Sequence, residues 1–97
     1  MYASIRRYTV DPKDAPEIFK RLKEGNIESI IGSIPGCIAY YAVDGGGGAI
    51  ATVSVFEDKA GAEESNARAA AWVKENVMTD FSISPVDITA GDVAVKI

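Results

Sequence analysis

Residues 34–66 read IPGCIAYYAVDGGGGAIATVSVFEDKAGAEESN, and this stretch decides the fold. Ile34-Pro35-Gly36 is a turn, because proline cannot continue a helix and glycine accepts the left-handed backbone that ends one. Cys37 to Val43 reads as a strand of apolar and aromatic residues. Asp44 to Gly48 is a glycine turn and Ala49 to Phe56 a second strand, so the two make a hairpin. Asp58 caps a helix from about Lys59 to Val77. Its Ala67-Arg68-Ala69-Ala70-Ala71 segment has high helix propensity, and alanine lets a helix lie close to a sheet. Spacing puts Ala62, Asn66, Ala69, Ala70, Val73 and Val77 on one face of it.

On the N-terminal side, Tyr2 to Val10 is rich in β-branched and aromatic residues and reads as a strand. Asp11-Pro12-Lys13-Asp14 stops it. Asp14 is read as a helix N-cap, with Pro16 in the first turn and Glu17 three residues after the cap. Ile18, Phe19 and Leu22 give that helix one apolar face. Gly25-Asn26 predicts a break or kink, with helix resuming through Ile27, Ile30 and Ile31. On the C-terminal side, Thr79 to Pro85 is a connector and Val86 to Ile97 a last strand, bulged near Ala90-Gly91. The order is β-α-β-β-α-β. The fold class is therefore α+β and ferredoxin-like, a four-stranded antiparallel sheet with its helices on one face.

A sheet with one wet face should alternate apolar and polar residues. These strands do not alternate cleanly. Ala49, Ala51, Val53 and Val55 share one face of their strand, and Ile50, Thr52, Ser54 and Phe56 share the other. A second cover is implied, and the same face of a second copy is the simplest one. The expectation is a homodimer through sheet faces; a moderately apolar wet face on a monomer is the alternative.

Ninety-seven residues suit one domain, residues 1–97, with a modest core that a partner chain would enlarge. An apolar fraction of 47% argues against disorder. Ten Lys and Arg are scattered against fourteen Asp and Glu, for a net charge of −4. With no basic stripe, nucleic acid and anionic membrane are not expected partners. No apolar run approaches the ~18 residues of a membrane span. The N-terminus lacks the pattern of a signal peptide, and the lone Cys37 cannot form an intrachain disulfide. These features suit a cytoplasmic protein. The chain has no histidine, which removes the commonest general base and metal ligand, and with them Ser–His and Cys–His nucleophiles. No metal and no cofactor are expected.

The element order, the Ile34-Pro35-Gly36 turn and the Ser54-Val55-Phe56-Glu57-Asp58 strand-to-helix junction resemble the dimeric α+β barrel superfamily. Within it, the antibiotic biosynthesis monooxygenase-like domains are the most similar. The resemblance runs from Tyr2 to about Val95. It implies that two sheets close into a barrel across a dimer, with a small pocket between sheet and helices in each protomer. It also implies cofactor-free oxidation or isomerisation of a small aromatic or enolisable molecule. Haem-degrading members use a histidine ligand with an Asn and a Trp. Asn66 and Trp72 are of those types, but no motif aligns them to those roles, and the histidine is missing. A non-catalytic dimeric ligand-binding or structural module is the other functional reading.

Candidate pocket residues follow from the pattern of faces. Arg6 and Arg7 point to opposite faces of their strand. Either both reach water by snorkelling, or one lies inward, where a buried guanidinium needs a carboxylate or a bound anion. Tyr40 and Tyr41 split in the same way, one ring under a helix and one toward the dimer interface. Asn66 sits on a helix face that is otherwise apolar, where it either ties helix to sheet or faces a pocket. Thr52 and Ser54 share one strand face and are candidates to line the pocket. Trp72 is a core anchor or a stacking surface. Asp44-Gly45-Gly46-Gly47-Gly48 is no phosphate loop, since it lacks the following Lys-Ser/Thr and helix. Glu63 and Glu64 diverge around their helix and form no acid–base pair.

Overall fold

The structure, a computed structural model, describes residues 1–97. Strand β1 spans Tyr2–Val10, helix α1 Ala15–Glu24 and helix α2 Ile27–Gly32. Strands β2, Cys37–Gly46, and β3, Ala49–Phe56, form the hairpin. Helix α3 spans Lys59–Asn76 and strand β4 Ile83–Asp92. The sheet order is β2-β3-β1-β4, with every pair antiparallel. This is the ferredoxin-like arrangement that the sequence predicts. No helix is long and apolar enough to cross a membrane.

The Gly25-Asn26 break is as expected: the first crossover is two helices, because Asn26 takes a left-handed backbone (φ 57°) that an α-helix cannot continue through. Several other local expectations need correction. Asp14 makes no side-chain capping bond; its helix starts on backbone geometry and Pro16. Asp58 does cap α3, accepting from Gly61 N at 3.0 Å. Strand β2 runs on to Gly46, so the turn is shorter than Asp44 to Gly48. Strand β4 starts at Ile83 rather than Val86 and ends at Asp92 rather than Ile97. Its register shift falls at Arg7/Tyr8, not near Ala90-Gly91. The exposed face of α3 includes Ala70, while Ser65 and Trp72 join Ala62 and Ala69 in its buried stripe.

Two glycines set how closely elements approach. A Cβ on Gly48 (φ 88°) would lie 2.0 Å from Val10 O, and the hairpin closes onto β1 there through Val10 N to Gly48 O at 2.9 Å. A Cβ on Gly61 would lie 2.7 Å from the Phe56 ring, so glycine lets α3 sit directly on β3. Phe56, Ile18, Ile31 and Val77 are buried beneath the helices. The opposite sheet face has no helix over it. Ile5, Tyr41 and Val43 are exposed there, and Val53 is half-buried.

Candidate small-molecule site beneath the helices

The pleat of β1 sends Ser4, Arg6, Tyr8 and Val10 toward the helices, all buried, and sends Ile5, Arg7 and Thr9 to the other face. On β3, Ile50, Thr52, Ser54 and Phe56 face the same way and are buried. The register sets Arg6 opposite Thr52 and Ser4 opposite Ser54. Strand β2 adds Tyr40 beside Ser54 and Ala42 beside Thr52. The result is a polar wall, Ser4, Arg6, Thr52 and Ser54, under a helix layer where apolar residues would suffice.

Ser4 Oγ donates to Asn66 Oδ1 at 2.8 Å, so Asn66 ties α3 to β1 at the edge of this wall. Arg6 is 5% exposed. Its Nε and Nη1 are sealed from solvent and have no hydrogen-bond partner. The guanidinium carbon lies 5.9 Å from the centre of the Tyr8 ring. Burial pushes the Tyr40 hydroxyl up to about 12, against the lowering pull of the Arg6 cation, with Tyr8 adding to the rise. Tyr40 is therefore a neutral donor at physiological pH.

A cleft lies beside Tyr40, and a small void touches the wall at Thr52. The cleft, of about 180 Å³, is lined by Phe19, Leu22, Lys23, Ile27, Glu28, Tyr40 and Ala42. The void, of about 20 Å³, touches Leu22, Tyr8, Thr52 and Trp72. Leu22 lines both. Trp72 is buried and its Nε1 donates to Gly25 O at 3.4 Å, anchoring α3 to the α1–α2 corner. No three His, Cys, Asp or Glu side chains converge as a metal site.

Six of the eight candidates, Arg6, Tyr40, Thr52, Ser54, Asn66 and Trp72, lie on the helix side of the sheet. Arg7 and Tyr41 lie on the other side. Arg7 forks onto Asp87, with Nε to Oδ1 at 2.9 Å and Nη2 to Oδ2 at 2.6 Å. That hydrogen bonding, followed by attraction to the carboxylate, holds its proton still more firmly than usual. Tyr41 is 61% exposed. Sequence reasoning did not select Ser4 or Tyr8, although both sit two positions from Arg6 and so share its face. Leu22 carried no signal beyond an ordinary apolar helix position.

No family profile and no curated protein matches the chain in sequence. Solved structures do match in fold. A candidate antibiotic biosynthesis monooxygenase from Deinococcus radiodurans is 14% identical at a TM-score of 0.76, over 100% of this chain and 96% of that one. A dimeric ferredoxin-like protein from an uncultured marine organism is 16% identical at 0.68, over 99% and 96%. SnoaB from Streptomyces nogalater, a cofactor-independent oxygenase, is 11% identical at 0.65, over 98% and 94%. At these identities the likeness is one of fold. The chain shares the ferredoxin-like fold of these proteins.

Proposed function

We propose that this chain is a monooxygenase-like domain that binds a small aromatic or enolisable molecule between its sheet and helices, and oxidises or isomerises it without a cofactor. The observation that carries this reading is the buried polar wall of Ser4, Arg6, Thr52 and Ser54. Ser4 is partnered by Asn66, but Arg6 Nε and Nη1 are buried with no partner, and a purely structural core gains nothing from such a group, which costs roughly 1–3 kcal/mol. The fold shared with a cofactor-independent oxygenase supports the same direction, as fold-level analogy.

No side chain of the wall accepts a proton at neutral pH. The substrate therefore arrives as its anion or loses its proton to solvent. In the oxidation, a methylene carbon gives up a proton and molecular oxygen adds to the carbanion. The hydroperoxide then loses water to leave a ketone. One oxygen atom ends in the product and one in water, so no further reductant is needed. In the isomerisation a proton changes carbon and nothing else is consumed. The same absence of a base favours a second reading, a non-catalytic binding module.

The domain acts as a homodimer through its open sheet face, where Ile5, Tyr41, Val43 and Val53 would be covered. The likeness to a protein described as dimeric supports this. A cytoplasmic setting suits the lone Cys37.

The test is oxygen uptake with a panel of 1,3-diketones and hydroquinones, alongside proton NMR for solvent deuterium entering the same compounds. Protein-dependent uptake or exchange supports catalysis. Binding without either supports the module. Neither turnover nor binding overturns both.

A further inference from the structure

We infer that the ligand of this site is a single-ring or similarly small planar oxyanion, a carboxylate, phenolate or enolate, whose charge pairs with Arg6. This rests on the reading that the space beneath the helices is a small-molecule site, and it adds the charge and size of the occupant.

The chain supplies no counter-charge to Arg6. Six ion pairs link its side chains, and none includes Arg6. Register and pleat place Ser4, Tyr8, Thr52, Ser54, Tyr40 and Ile88 around it, all uncharged. The Tyr8 ring offers at most about 2 kcal/mol of cation–π attraction. Burying a lone charge costs several kcal/mol. The adjacent residue makes the contrast plain. Arg7 is exposed, needs no partner, and has a bidentate carboxylate in Asp87. Arg6 is buried, needs one, and has none. A guanidinium fork fits a planar pair of oxygens. The hydroxyls of Tyr40, Thr52 and Ser54 can donate to the same anion or to its ring substituents.

Space sets the size. Leu22 lines both the 180 Å³ cleft and the 20 Å³ void. A cavity of about 150 Å³ holds one benzene ring. A turn of the Leu22 side chain would extend the cleft from Tyr40 to the void at Thr52 and Tyr8, the strand partner and the ring neighbour of Arg6.

The probes are benzoate and 4-nitrophenolate with their neutral counterparts benzamide and nitrobenzene, titrated calorimetrically into the full chain. The anions are expected to bind at least about tenfold more tightly than the neutral rings. Arg6→Met should reduce anion binding to the neutral level, Arg6→Lys should keep part of it, and Arg7→Met should leave it unchanged. Leu22→Trp, which adds bulk to the lining common to cleft and void, should weaken rings of either charge. Equal binding of anion and neutral ring, or anion binding unchanged in both Arg6 variants, overturns the assignment of charge and leaves the small-molecule reading standing. If no ring binds at about 10 mM, above the weakest useful affinity range, or if Leu22→Trp has no effect on rings that do bind, the site itself is wrong. Should Arg6→Met fail to fold, Arg6→Lys and the anion-to-neutral ratio of the unaltered chain still decide the outcome.

Discussion

Ser4 Oγ and Asn66 Oδ1 meet at 2.8 Å, joining the first strand to the third helix across 62 positions of sequence. Ser4 is fully buried and Asn66 half-buried. The bond therefore fixes α3 over the polar wall at the point where Arg6 begins. Replacing Ser4 with Ala leaves the Asn66 carbonyl without that donor and should cost about 1–2 kcal/mol. Urea unfolding of Ser4→Ala, Asn66→Ala and the double variant gives the coupling by a thermodynamic cycle. Additive losses would show that the two groups do not act together.

Arg6→Met should make the ligand-free chain more stable, by about 1–3 kcal/mol. Methionine keeps the apolar stem and removes an uncompensated buried charge, and replacing buried ionic groups with well-packed apolar ones is often stabilising. The gain would mark Arg6 as a residue held for function at the expense of stability. A loss of more than 1 kcal/mol in denaturant would mean that Arg6 has a structural partner in solution.

Tyr40 should resist ionisation. Its hydroxyl, pushed up to about 12 by burial, keeps its proton in the folded chain above the ordinary tyrosine value near 10. The folded state then holds one more proton than the unfolded state between those values. Its contribution is fully present below about pH 10 and is lost as pH rises from about 10 to 12, by about 3 kcal/mol in total. Tyr40→Phe removes that part of the decline. Ultraviolet titration of the unaltered chain against Tyr40→Phe isolates this phenol among the four tyrosines, and a difference curve centred at about pH 10 would contradict the burial argument.

A charge on the open sheet face should keep copies apart. Val53→Glu places a carboxylate among Ile5, Ala51 and Tyr41 without touching the helix-side wall. Sedimentation equilibrium of the unaltered chain is expected to give a dimer, and Val53→Glu a monomer that still folds. A monomeric unaltered chain at about 100 μM, well above the Kd of a stable dimer, would refute the homodimer.

Much of the architecture was legible because short-range physics governs it. The β3 alternation of Ile50, Thr52, Ser54 and Phe56 against Ala49, Ala51, Val53 and Val55 appears in the structure as one buried face and one more accessible face. The Asp58 cap and the Gly25-Asn26 break were legible for the same reason, since each depends on a few neighbouring residues. The last strand was misjudged at both ends. Its limits depend on pairing with β1, more than 70 positions away, and Ser84-Pro85 reads locally as loop.

The sequence by itself determined the order of elements and that Arg6 and Arg7, like Tyr40 and Tyr41, must part to opposite faces, because a strand's side chains alternate. Only the tertiary structure decided which member of each pair lies beneath the helices. That choice follows from where α3 and the α1–α2 pair settle on the sheet, and from the placement of Asp87 beside Arg7 rather than Arg6. Local pattern carries no information on a partner brought in by strand pairing across 80 positions. The unpaired charge of Arg6 is visible only once every carboxylate of the chain has its place.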